Sequence, residues 1–225
     1  MDNKPFWIAS FDIGKKNFAF CVEQVDTEEL IKVPNLEKTL RYNRDGTVTP
    51  KFRKILRKVF LNGDIKLLEN VDLTEGCVKS KYLDPRVFIN MTNLLDKYRD
   101  YWDKCQVFII EQQMGFGQGK RRRYNTMALK LGQHCFSYFT ILYSIFKTTI
   151  EFPSYHKTQV LGARKKLSKG ERKDWAVNQA VDILLDRDDN KSLEQLSSKK
   201  KQDDYSDTIV QLQAFKYLLY VDQSL

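Results

Sequence analysis

The stretch Phe6-Trp7-Ile8-Ala9-Ser10-Phe11-Asp12-Ile13-Gly14-Lys15-Lys16-Asn17-Phe18-Ala19-Phe20-Cys21-Val22 decides the fold. Its first part is an apolar run that ends in an acid, and its last part is a second apolar run. Between them lie Gly14 and Asn17, either able to take positive φ, so the pattern predicts a β-hairpin. The first strand is apolar at nearly every position rather than at alternate ones. Such a strand is expected at the centre of a sheet, covered on both faces.

Working outward, Phe88, Met91, Leu94, Leu95, Tyr98 and Trp102 recur at spacings of three and four, which predicts a helix. Val107-Phe108-Ile109-Ile110-Glu111 follows as a strand. A helix between two apolar strands predicts that the later strand lies parallel to the first. Leu30 to Leu36 reads as a strand held to an edge by Pro34. Residues 40–85 read as an insertion with some helix around Phe52 to Phe60. Further on, the pattern predicts a long helix from Asn125 to Phe146, a short strand at Thr149 to Phe152 and a mobile basic stretch from Lys165 to Lys173. An amphipathic helix from Trp175 to Leu185, a charged loop to Lys201 and a final helix from about Asp203 to Val221 complete the reading. The whole, residues 1–225, reads as one α/β domain.

Composition narrows the function. Apolar residues make up 42% of the 225, and Gly and Pro are few, which excludes collagen-like and wholly disordered chains. Cys21, Cys77, Cys105 and Cys135 form no C-x-x-C pair and the histidines are only His134 and His156, which argues against a zinc finger or a disulfide framework. The cysteines read as reduced thiols. The most apolar run, Cys135 to Phe146, is shorter than the roughly 20 residues a bilayer span needs. A soluble intracellular protein without a membrane segment is expected. Its formal charge of +9 favours an acidic partner, most commonly nucleic acid.

The candidate chemistry lies in acids. Asp12 ends the first strand and Glu111 ends the strand expected beside it. Each alone could be a strand terminus or a turn cap. Together they would repel and raise each other's pKa unless a cation neutralised them. Asp203, Asp204 and Asp207 open the last helix. Capping accounts well for Asp203 or Asp204, and less well for Asp207 at the end of the first turn. Oxygen ligands from two strands and one helix suit Mg²⁺.

Ser10 to Phe20, then Ile109-Ile110-Glu111-Gln112-Gln113, then Asp204-Tyr205-Ser206-Asp207 resemble, in order, the acidic motifs of RuvC-type Holliday junction resolvases. The D-I-G-x-K-N opening is most similar to that of the poxvirus and related large-DNA-virus branch. Phe152-Pro153-Ser154-Tyr155-His156-Lys157 is similar to that branch's segment carrying an active-site lysine. The resemblance covers about residues 5–24 and 86–221 and gives no counterpart for 40–85. It implies an RNase H-like fold with a mixed five-stranded sheet flanked by helices, a homodimer, and paired nicks across a four-way DNA junction in recombination or viral concatemer processing. It also implies action in the host cytoplasm. Asp12 would bridge two Mg²⁺ ions, or Mn²⁺ in their place, with Glu111, Asp204 and Asp207 completing the shells and Lys157 beside the scissile phosphate.

Lys120, Arg121, Arg122 and Arg123 follow Gly115, Gly117 and Gly119 directly after the Glu111 strand. That run lacks P-loop spacing, and it suits DNA binding, as do Lys15 and Lys16 in the hairpin; a solvated basic turn or a nuclear-import patch is the alternative. Two other functions fit the same residues: an RNA–DNA hybrid nuclease, and a non-catalytic nucleic-acid-binding module. The intact acid set argues against the module, since acids repel phosphates. The helix from Phe88, or the one through Tyr138, Phe139 and Tyr143, is expected to offer the dimer contact.

Overall fold

A computed structural model describes residues 5–78, 84–113, 125–198 and 201–225. Its strands are β1 (Phe6–Asp12), β2 (Phe18–Val25), β3 (Asp64–Val71), β4 (Cys105–Gln112) and β5 (Thr148–Pro153). They form one mixed five-stranded sheet in the order β3-β2-β1-β4-β5, the RNase H-like arrangement. β1 pairs antiparallel with β2 and parallel with β4, and β4 pairs parallel with β5. The helices are α1 (Thr27–Ile31), α2 (Pro50–Leu61), α3 (Arg86–Lys97), α4 (Arg99–Trp102), α5 (Thr126–Tyr143), α6 (Tyr155–Val160), α7 (Lys169–Asp186), α8 (Asn190–Ser197) and α9 (Gln202–Lys216).

The near-continuous hydrophobicity of β1 has the predicted cause: helices cover both faces. Ile8, with Ile109 and Phe152, packs under α2, α7 and α9. Ala9 and Phe11, with Phe108 and Ile110, pack under α3, α4 and α5. Successive side chains point to opposite faces, so Ser10 and Asp12 share the α9 face with Ile8. Tyr138 and Tyr143 hydrogen-bond to Asp96 and Asp103 of their own chain, and Phe139 is fully buried between the helices and the sheet.

Other expectations need correction. Neither Gly14 nor Asn17 has positive φ; Gly14 is required for space, because a Cβ there would lie 2.6 Å from the Asn17 carbonyl oxygen. Leu30 to Leu36, expected as an edge strand, forms none: Leu30 and Ile31 end α1, which Asp26 caps. Within 40–85 the helix expected around Phe52 to Phe60 is present as α2, and the stretch also supplies a strand that was not expected, β3, which pairs with β2. The expected loop before residue 201 contains α8. The amino-terminal half of α7 begins within the stretch read as mobile, through a capping box between Ser168 and Glu171.

Candidate active site

Two parallel strands set the site. Phe11 is in register with Ile110, which brings Asp12 beside Glu111 at the carboxyl ends of β1 and β4. Glu111 pairs in register with Phe152 of β5, and the chain then turns at Ser154 into α6. That turn sends Lys157 back over the sheet end, where its side chain is buried. Its Nζ lies 2.8 Å from Glu111 Oε1 and 3.1 Å from Asp207 Oδ1. α9 crosses the same face and supplies Asp207, whose side chain is 31% exposed and opens the group to solvent.

The electrostatics follow from this placement. Burial, then the charges of Glu111 and Asp207, raise the Asp12 carboxyl well above the usual aspartate range. At Glu111 burial pushes upward, but the Lys157 charge together with hydrogen bonds to Asp12, Lys157 and Gln113 lowers the carboxyl. Burial disfavours the Lys157 ammonium, yet Asp207, Glu111 and Asp12 together raise it, so it stays charged. Asp207 is raised, by burial first and by Glu111 against the pull of Lys157. Asp204 is pushed up to about 6 by burial and by Asp203.

Asp12, Glu111, Lys157 and Asp207 are thus brought together. Asp204 lies one turn earlier on α9 and accepts from Asn70 Nδ2 of β3 at 3.5 Å. Asp203 turns away and pairs with Lys173 of α7. Lys15 and Lys16 are exposed in the β1–β2 turn. Lys120, Arg121, Arg122 and Arg123 lie outside the described residues.

Among the described residues no three His, Cys, Asp or Glu side chains form a ready-made metal cage. An ammonium stands between two of the carboxylates instead. The donor chemistry still fits a hard cation. Every donor is a carboxylate oxygen, and one ammonium cannot balance Asp12, Glu111 and Asp207 together.

No protein-family model matches the chain. It is 30% identical to uncharacterized protein 170L of Invertebrate iridescent virus 6, over 96% of this chain and 91% of that protein. It is also 30% identical to uncharacterized protein 97L of Invertebrate iridescent virus 3, over 93% of this chain and 98% of that protein. The chain belongs to this iridescent-virus family. Its fold is similar to that of Fowlpox virus resolvase solved with substrate Holliday junction DNA, with a TM-score of 0.54 and 16% identity over 95% of this chain and 99% of that one. Thermus thermophilus RuvC gives 0.52 and 11%, over 96% and 98%.

Several residues that shape the site in this family member carry no readable signal in the sequence. Gln113 donates to Glu111 Oε2 at 3.3 Å. Asn70 reaches Asp204 only because β3 joins the sheet. Gln211 is buried beneath Asp207 and donates to Ser10 Oγ at 3.0 Å. A glutamine four residues after an acid shares its helix face, which is the one hint the sequence holds.

Proposed function

We propose that the chain is a Mg²⁺-dependent Holliday junction resolvase that makes paired, symmetric nicks in four-way DNA junctions. The observation that carries this reading is the carboxylate group itself. Asp12 and Glu111 end adjacent parallel strands, and Asp207 and Lys157 close over them. The fold is shared with solved resolvases, one of them bound to junction DNA. A module that only binds nucleic acid gains nothing from partly buried carboxylates that repel phosphates.

In this reading Asp12, Glu111, Asp204 and Asp207 hold the divalent cations. Bound there, such ions lower the pKa of a water, align it, and stabilise charge on the leaving oxygen. Asp12, at the end of β1 beside Glu111, would be one of their carboxylate ligands. Lys157 opposes protonation of Glu111 and Asp207 and would supply positive charge where the scissile phosphate approaches. Lys15, Lys16 and the basic run Lys120 to Arg123 contact the DNA backbone. Resolution needs two cuts related by a two-fold axis, and one chain carries one set of acids, so the active species is a homodimer. Its role is the processing of recombination and replication intermediates.

The test is cleavage of a labelled synthetic four-way junction beside linear duplex and RNA–DNA hybrid, in Mg²⁺ or EDTA. Paired nicks in the junction with Mg²⁺ alone support the reading. Cleavage confined to the hybrid would transfer the site to a hybrid nuclease.

A further inference from the structure

Arg164, Lys165, Lys166, Lys169, Arg172 and Lys173 place six cations within ten residues, and all six are exposed. The single acid among them, Glu171, is consumed by the helix cap, where its carboxylate accepts from the Ser168 backbone N–H at 2.7 Å. The strip is a built surface. The Lys165 backbone N–H donates to the Asp45 carbonyl at 2.7 Å, and Lys165 Nζ donates to the Arg44 carbonyl at 3.0 Å. Tyr42 Oη donates to the Val160 carbonyl at 2.9 Å. Gly162, at φ +77°, lets this loop close on Val48, where any side chain would collide. The segment 42–48, which the family resemblance does not cover, therefore braces the loop that presents the cations.

Two observations point to a ligand. First, Lys166 is held at φ 63°, in the left-handed region where glycine or asparagine is cheaper. A lysine at that position makes the backbone less stable while adding a cation that bonds to nothing in its own chain among the described residues. Second, one end of the strip reaches the site. Lys173 pairs with Asp203, next to Asp204 on α9.

We infer that residues 164–173 form a track for the phosphate backbone of a duplex arm, leading it to the carboxylates. The inference rests on the proposed nuclease reading for its direction, but not for its measurement. The track binds phosphates and reads no bases, so it serves linear duplex and junction alike.

Affinity of the full chain for a linear duplex and for a four-way junction is measured in EDTA across a salt series. Lys166→Ala/Lys169→Ala/Arg172→Ala should flatten the log–log salt slope by about 0.9 per lost contact, about 2.7 in all, on both DNAs. Lys166→Gly is the folding control: its melting temperature should be equal to or above wild type, because strain is relieved, while the slope falls by about 0.9. Unchanged slope and affinity in both variants would overturn the track, as would tighter binding by the triple variant. An acidic protein is the other partner class; a slope lost only against such a protein would also overturn it. Failure of the wild type to nick any junction would remove the proposed activity and leave this measurement standing.

Discussion

Gln211 Nε2 donates to Ser10 Oγ at 3.0 Å, which ties the helix carrying Asp207 to the strand carrying Asp12, one layer beneath the carboxylates. The same amide nitrogen lies 3.5 Å from the Ile109 carbonyl, two residues before Glu111. The glutamine is buried and its Oε1 has no partner, a costly choice for a core position that leucine could fill. A buried polar group of this kind sets register rather than adding stability.

Gln211→Leu should therefore leave stability within about 1 kcal/mol of wild type, since a lost hydrogen bond is offset by removal of the orphan oxygen. Cleavage should fall by about 10²-fold through misplacement of Asp207 by a fraction of an ångström to an ångström. Thermal melts and single-turnover rates at saturating junction check both. A melt near wild type with an unchanged rate would mean that the register of α9 is set elsewhere.

Lys157→Gln removes the ammonium that stands between Glu111 and Asp207. Breaking a buried pair costs about 3–5 kcal/mol, and solvent access at Asp207 brings the expected loss to the lower end or below. The carboxylates left behind should then take a divalent cation as their counter-charge. Added Mg²⁺ should raise the melting temperature of the variant more than that of wild type, while nicking stays impaired. An equal rise in both would show that Lys157 is not the balancing charge.

Glu23, fully buried on β2, accepts from Lys216 and Arg187, each at 2.7 Å, and from Gln213 at 3.0 Å. Burial pushes its carboxyl up, but the Arg187 and Lys216 charges win and lower it below the ordinary 4.5. Burial wins at Lys216, whose ammonium is lowered to about 8. A carboxyl lowered by folding binds fewer protons than in the unfolded chain. Its stabilisation is present above about pH 4.5 and is lost as pH falls below that. Glu23→Gln should cost about 3–5 kcal/mol at neutral pH by stranding two buried cations. The gap in urea midpoint between wild type and variant should be smaller at pH 3.5 than at pH 6. A constant gap at both values would contradict this.

The sheet was legible because its central strands are apolar on both faces and its acids stand where apolar runs stop. Asp12 and Glu111 could be paired once the helix from Phe88 implied a parallel strand. Lys157 was legible only through motif order, since nothing local distinguishes it from other lysines. β3 was not, because Asp64 to Val71 is an edge strand with only Leu68 fully inside and so lacks a strong apolar pattern. Asp203 and Asp204 could not be separated in sequence; the ion pair to Lys173 across two helices separates them in space. Gln211 and Glu23 act through partners about 200 residues distant, which no local pattern reveals.

The central claim is that the acids gathered around Asp12 cut junction DNA. It is tested most directly by Asp12→Asn on a labelled four-way junction in Mg²⁺, beside Asp207→Asn and Asp203→Asn. Asparagine keeps the shape and removes the charge. The account predicts that Asp12→Asn and Asp207→Asn bind the junction and leave it uncut, while Asp203→Asn, freed only from Lys173, cuts within about tenfold of wild type. Paired nicking by Asp12→Asn at the wild-type rate would contradict it.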